Sequence, residues 1–287
     1  MLHQPLKVKD WCKAGNPWIW LTAGAVAISL IMDFGLLSLI TVKGMSYFWP
    51  KDVTSAIFTE ERQSQPILGE IYNREVYSKE MLLHRGLNIQ MEGDTIDRVL
   101  LKLGNKELNG QDFKWFWFNT LSHLEKKPDV LVVERLEWGN FYGFFHQIKK
   151  ANRIVLDKLD WSVTQEYLHR ATDLNNKIKS IEKDEVGAIG YRLERLRLKE
   201  KSLMLDQQLT DAAKAEIATE QLALHHQYEE LKKNLDDLRL QQQTDILVLK
   251  TIDGVEMEIP FSNIVELYMP NTFNFFDKVG FFFKKIA

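Results

Sequence analysis

The chain has 287 residues, a net charge of -3, 27% charged and 45% hydrophobic residues, and one cysteine, Cys12. That length leaves room for one or two domains. The near-neutral charge lacks the basic footprint of a nucleic-acid binder, one cysteine excludes an internal disulfide, and so many charges exclude a chain made mostly of membrane spans.

Residues 1–17 are short, polar and basic, and read as a cytoplasmic tail. Residues 18–42, WIWLTAGAVAISLIMDFGLLSLITV, follow with one charge, Asp33. A bilayer core needs about 20 apolar residues of helix, so this stretch predicts a transmembrane helix. Trp18 and Trp20 stand at one end and Tyr47, Phe48 and Trp49 past the other, as at two water interfaces. A cleaved signal peptide is the alternative, but the apolar run is too long for one and no small-residue cleavage site follows. Lys7, Lys9 and Lys13 before the stretch, against Lys43 and Lys51 after it, lean towards a cytoplasmic N-terminus. Asp33 is expected near mid-membrane, uncharged and against a neighbouring span. Pro17 suits the first helical turn, and Gly44 and Pro50 end the helix.

Residues 53–150 read as a small β-rich module. Strands are expected at 65–72, at 98–103 (RVLLKL), at 130–136 and at 141–148, with turns at Gly104-Asn105, Asn109-Gly110 and Gly139-Asn140. Phe113, Trp115 and Trp117 recur with period two and give an aromatic face. Such a face is the core of a small barrel or sandwich, or a ligand platform.

Glycine and proline nearly vanish over 154–243, which predicts an antiparallel coiled-coil hairpin. One seam carries Leu174, Ile178, Ile181, Ile189, Leu193 and Leu196. The other carries Ile217, Leu224, Tyr228, Leu231, Leu235 and Leu238. Gly187 and Gly190 suggest a stutter or kink. Leu209-Thr210-Asp211 reads as the turn, with Thr210 or Asp211 as N-cap. His225 and His226 are adjacent and so point about 100° apart, which is not metal-ligand spacing on a helix. The charge run 192–201 reads as a solvated face.

Residues 244–270 return to strands. TDILVLKT and VEMEIPF alternate on either side of Asp253-Gly254, a hairpin expected to rejoin the β module. Residues 271–287 form the last element. Phe275, Val279, Phe282 and Ile286 share a helical face that Phe276 and Phe283 widen, opposite Lys278, Lys284 and Lys285. That pattern predicts an amphipathic helix in a membrane interface, or else one packed on the β module. The expected fold is thus α+β and membrane-anchored: one transmembrane helix, a small β-rich module interrupted by a long helical hairpin, and a C-terminal amphipathic helix.

No phosphate-binding loop, nucleophile elbow, H-E-x-x-H or C-x-x-C motif occurs, so no catalytic, cofactor-binding or metal residue is expected and the chain is not read as an enzyme. The segments Asn16-Pro17-Trp18-Ile19-Trp20-Leu21-Thr22-Ala23-Gly24-Ala25, Phe48-Trp49-Pro50, Ile259-Pro260-Phe261-Ser262-Asn263-Ile264-Val265 and Met269-Pro270-Asn271-Thr272, with Phe275-Phe276-Asp277-Lys278, resemble the N-terminal region of the extended phosphate ABC transporter permease A subunits of proteobacteria. The resemblance implies an inner-membrane protein with most of residues 43–287 in the periplasm. It implies as partners a second permease subunit, a cytoplasmic ATPase and a periplasmic phosphate-binding protein, besides membrane lipid. That family's remaining spans and coupling loop would begin where this sequence ends, at Ala287, and no phosphate-contacting residue carries over. The layout alone also fits a single-span periplasmic adaptor with a coiled-coil arm.

Overall fold

The computed structural model describes residues 16–60, 63–84, 86 and 93–286, so most of the basic tail and Cys12 lie outside the described residues. The chain is a mixture of helix and sheet with one apolar helix near the N-terminus and a helix at the C-terminus. It divides into two units: residues 1–50 with 273–287, and residues 51–272.

The smaller unit holds helix α1 (Asn16–Phe48). Its segment Trp18–Met45 is the one described helix long and apolar enough to cross a membrane, and none of it is buried.

The larger unit opens with β1 (Val53–Glu60), the long β2 (Gln63–Ser78) and the short helix α2 (Lys79–His84). Strand β3 (Thr95–Lys102), helix α3 (Lys106–Asn109), β4 (Phe113–Trp117) and β5 (Leu121–Glu125) follow. They form one antiparallel sheet in the order β4-β3-β2-β1-β5. Strands β4 and β5 are thus the two edges, yet only a 3₁₀ turn, Phe118–Thr120, joins them. Edges of a flat five-stranded sheet stand about 19 Å apart. The four Cα steps of that link reach about 14 Å at most. The sheet must therefore curl into a small half-open barrel. Ala56, Phe58, Val99, Leu101, Phe116 and Leu121 fill it, with the Phe58 and Phe116 rings edge to face at 4.8 Å.

The same plan then recurs. Strands β6 (Val130–Arg135), β7 (Asn140–Lys150), β9 (Asp245–Lys250), β10 (Glu256–Pro260) and β11 (Ile264–Tyr268) form a sheet in the order β10-β9-β7-β6-β11, with β8 (Arg153–Leu156) added on β7. Its edge strands are again joined by one 3₁₀ turn, Phe261–Asn263. The registers coincide. Val53 pairs Glu70 as Val130 pairs Phe144, and Lys102 pairs both Glu70 and Phe113 as Lys250 pairs both Phe144 and Glu256. A bulge interrupts β2 between Ile71 and Asn73, and β7 at the same point between Phe145 and Gln147. The strands that read as one β-rich stretch are therefore two barrels of one design.

The helical hairpin is an insertion between β7 and β9. In the first barrel the same place, between β2 and β3, holds α2. The hairpin rises through α4 (Trp161–Ser180), a π-helical turn (Ile181–Val186) and α5 (Gly187–Leu205), and returns through α6 (Asp211–Gln242). At 1.5 Å per residue α6 is about 48 Å long. Asp160 caps α4 by accepting from the Ser162 and Val163 amides, and Thr210 caps α6 by accepting from the Ala213 amide at 3.2 Å.

The interruption expected at Gly187 and Gly190 lies one turn earlier, in the π-helical turn. The apolar seam shows why. It runs Ile178, Ile181, then Val186, Ile189, Leu193 and Leu196, so it slips by one residue between Ile181 and Val186. An α-helix would carry every later residue about 100° off the seam, and the wider turn absorbs the extra residue. Ile189 and Leu196 then bury against Ile217 and Leu224. Tyr228, expected in the α6 seam, is exposed instead.

Candidate membrane and partner surfaces

In the smaller unit the apolar helix is followed by Trp49, whose ring lies 5.9 Å from that of Phe275 and 6.1 Å from that of Phe282. Both belong to helix α7 (Phe275–Ile286). Asn274 starts this helix with a reciprocal cap: its Oδ1 accepts from the Asp277 amide at 2.9 Å, while Asp277 Oδ2 accepts from the Asn274 amide at 3.0 Å. The Asn274 and Asp277 amides are thus both satisfied, and the Asp277 carboxylate sits at the positive end of the helix dipole. Of the six apolar residues expected on one face, Phe282 is buried. Phe275, Phe276, Phe283 and Ile286 stay exposed, so within this unit the helix is only partly covered.

In the larger unit a polar clamp joins the two barrels. The Asn105 side chain donates to the Tyr142 carbonyl at 2.9 Å and accepts from the Tyr142 amide at 2.7 Å, as a neighbouring strand would. Beside it Gly104 has φ of +58°, and a Cβ there would lie 2.6 Å from the Asn140 carbonyl oxygen. The buried Arg135 guanidinium forms a two-point pair with Glu107, one contact at 2.9 Å. Asn271 bonds both main-chain groups of Val53 and the Lys127 carbonyl.

Tyr142 also donates its hydroxyl to the buried Glu70 at 2.8 Å. Burial pushes the Glu70 carboxyl above its ordinary range. The Tyr142 hydrogen bond and the charges of Lys102 and Lys51 oppose that shift, and Glu134 adds to it. The same burial, with the nearby Glu70 charge, raises the Tyr142 phenol well above 10. For Glu107 burial pushes upward, but the Arg135 hydrogen bonds and charge prevail and leave the carboxyl below its ordinary value. These groups hold one another, and what they do is fix the barrels.

The aromatic face of β4 divides as its alternation requires. Phe116 enters the core, while Phe113, Trp115 and Trp117 lie on the other side of the sheet. There the Arg98 guanidinium lies 4.9 Å from the Trp115 ring and 5.4 Å from the Trp117 ring, and Tyr72 meets Phe113 edge to face at 5.1 Å. The ladder is therefore outside the core. Its indole faces are engaged by an arginine of the neighbouring strand.

The foot of the hairpin completes the second barrel. Tyr167, Leu168 and Ala171 of α4 join its core, and the Tyr167 ring stacks on Phe261 at 5.4 Å. Asn175 donates to the Ser262 carbonyl at 3.0 Å, and Arg170 pairs with Asp245 at 3.4 Å. The arm is thereby anchored on the turn that joins the edge strands. Farther out it is solvent-exposed, with Tyr191, Leu198, Leu205 and Leu222 uncovered and His225 and His226 both facing water. Among the described residues no three His, Cys, Asp or Glu side chains converge as a metal-holding group. The sequence marked Asn105 only as a turn residue and Asn271 only within a resembling segment, and it did not mark Glu70 or Tyr142; all four act through contacts between distant segments. Comparison with protein-family models, with curated proteins and with solved structures finds no match for this chain.

Proposed function

We propose that this chain is a membrane-anchored periplasmic scaffold, the N-terminal part of a permease subunit of an inner-membrane phosphate importer. Helix α1 crosses the bilayer with its N-terminus in the cytoplasm, and α7 rests its exposed phenylalanines in the membrane interface. The two barrels and the helical arm stand in the periplasm. The carrying observation is that Trp18–Met45 is wholly unburied, and residues 18–42 within it hold only one ionised-type side chain, Asp33. An apolar helix exposed along its spanning length is at home in lipid. The phosphate transporter itself comes from the sequence resemblance at residues 16–25, 48–50, 259–265, 269–272 and 275–278. The arm supports a scaffold role, because it adds a reach of about 50 Å.

The experiment removes the distal arm, residues 184–234, across a short flexible link. It spares 161–180 because Tyr167, Leu168 and Ala171 belong to the second barrel's core. In cells that carry the remaining transporter components, phosphate uptake and crosslinking to the binding protein and to the second permease subunit are measured. Reduced uptake with altered crosslinks is expected at normal membrane insertion. Unchanged uptake and unchanged crosslinks would refute the scaffold role.

A further inference from the structure

The twofold use of one barrel design makes one surface interpretable. In the second barrel the end beside the 3₁₀ turn is closed by α4. There Phe261 and Leu267 are 1% and 2% exposed, and Phe145 packs against the same core. The matching residues of the first barrel are Phe118, Leu124 and Ile71. They are 37%, 38% and 43% exposed, over a floor formed by Val99 and Leu101, the counterparts of Leu247 and Leu249. Among the described residues no helix lines this cleft. The cleft encloses only about 10 Å³, too little for a small-molecule ligand, so what it offers is the apolar surface around it.

The charge beside the cleft is also matched. Asp245, at the edge of the closed end, takes Arg170 from α4. Its counterpart in the first barrel is Asp97, which takes Arg74 from β2. The Arg74 side chain is largely exposed, and its guanidinium lies over the Phe118 ring at 5.2 Å. Phe118 is the counterpart of Phe261, the ring that Tyr167 covers. Among the described residues, the exposed Arg74 lies over Phe118 at the place that a helix fills in the sister barrel, and it is held by an acid, Asp97, that matches the arginine-binding Asp245.

We propose that the open end of the first barrel, built on Ile71, Val99, Phe118 and Leu124, is a docking seat for an amphipathic helix of a partner protein. The partner helix presents an aromatic residue, a leucine, an arginine and an alanine at positions i, i+1, i+3 and i+4. That is the pattern of Tyr167, Leu168, Arg170 and Ala171 in the occupied seat. The partner's arginine replaces Arg74 on Asp97, as Arg170 sits on Asp245, and Arg74 turns outward. The aromatic ring lands on Phe118, and the leucine covers the floor.

The test uses the full chain in lipid nanodiscs and, as probe, a synthetic peptide of residues 160–180 with a photoreactive phenylalanine in place of Tyr167. Saturable crosslinking to residues 118–124 is expected. Ile71→Lys should reduce it by about tenfold or more, equivalent to the loss of one apolar anchor. Arg74→Ala provides a second measurement independent of any folding effect of Ile71→Lys: it removes the stopper and should raise the peptide's affinity several-fold. No saturable crosslink to the first barrel, crosslinking confined to the second barrel, or no change with Arg74→Ala would each overturn the proposal. Self-association of the chain that Ile71→Lys abolishes would overturn it too, since a second copy would then hold the seat.

Discussion

Gly69 and Gly143 occupy one position in two barrels. A Cβ on Gly69 would lie 2.9 Å from the Lys102 carbonyl oxygen, and one on Gly143 would lie 2.8 Å from the Lys250 carbonyl oxygen. In each barrel the residue next to the glycine pairs with that lysine, and the bulge follows two residues later. The close approach of backbones there excludes any side chain, so the glycines are matched by geometry where most other residues have diverged.

Gly69→Ala and Gly143→Ala should each destabilise the larger unit by about 1–3 kcal/mol, the usual cost of forcing a methyl group into packed backbone. Gly190 gives the contrast. It lies in α5 with nothing within 4 Å of its Cβ position, so Gly190→Ala should stabilise by about 0.5–1 kcal/mol through helix propensity. Urea denaturation of the purified chain followed by tryptophan fluorescence and circular dichroism separates the two signs.

The raised Glu70 carboxyl makes stability fall as pH rises. The folded state holds the Glu70 proton more tightly than the unfolded chain does, so ΔG of unfolding has a negative slope from this group. Its contribution is fully present below the unfolded value of about 4.5 and is lost as pH rises through the higher folded value. Glu70→Gln keeps an acceptor for the Tyr142 hydroxyl and removes the titration. The variant should lose the descending part of the stability profile and exceed the native chain in stability above it. A profile parallel to that of the native chain would show that Glu70 is not the titrating group.

Asn271 follows β11 yet satisfies main-chain groups at the entrance to the first barrel. Asn271→Ala leaves the amide of Val53, a residue with no exposed surface, without a partner. One orphaned buried donor costs about 1–3 kcal/mol. Faster amide hydrogen exchange is therefore expected at Val53 and at neighbouring β1 residues, with little change in α5 and α6.

The π-helical turn has its own prediction. Deleting Lys183 removes the extra residue, so the helix can run as plain α-helix from Ile178 to Ile189 with the seam in place. Helical content and melting temperature should be kept or raised. Deleting Gln227 from α6 instead turns Leu231 and Leu235 off the seam by about 100° and should lower the melting temperature clearly.

Much of this architecture follows from local pattern. The apolar helix, the alternation in 98–103 and 244–261, the Asp253-Gly254 turn and the Thr210 cap are short-range features, and periodicity or turn chemistry reveals them. The doubling of the barrel is not local. It rests on strand register, and its traces in sequence are scattered: Val53 and Val130, Gly69 and Gly143, Leu101-Lys102 and Leu249-Lys250, Phe118 and Phe261. Neither β5 nor β8 announces itself, since LSHLE and RIVL are short and flanked by charge. The period-two aromatic face of Phe113, Trp115 and Trp117 reads from sequence as a core or a ligand platform. Only the sheet decides that Phe116 is the one turned inward. The foot of the hairpin reads as ordinary coiled-coil seam, whereas Tyr167, Leu168 and Ala171 close a barrel formed by strands on both sides of the insertion.

The central claim is that the barrels and the arm stand outside the cytoplasm on a chain anchored by α1. The direct measurement is a single cysteine at Glu220→Cys, on the exposed face of α6, in a Cys12→Ser background. It is probed in intact cells with a membrane-impermeant maleimide after the outer membrane has been permeabilised. Labelling equal to that seen after complete lysis is the predicted result. Protection until the inner membrane is broken would contradict the account, because it would place the arm in the cytoplasm.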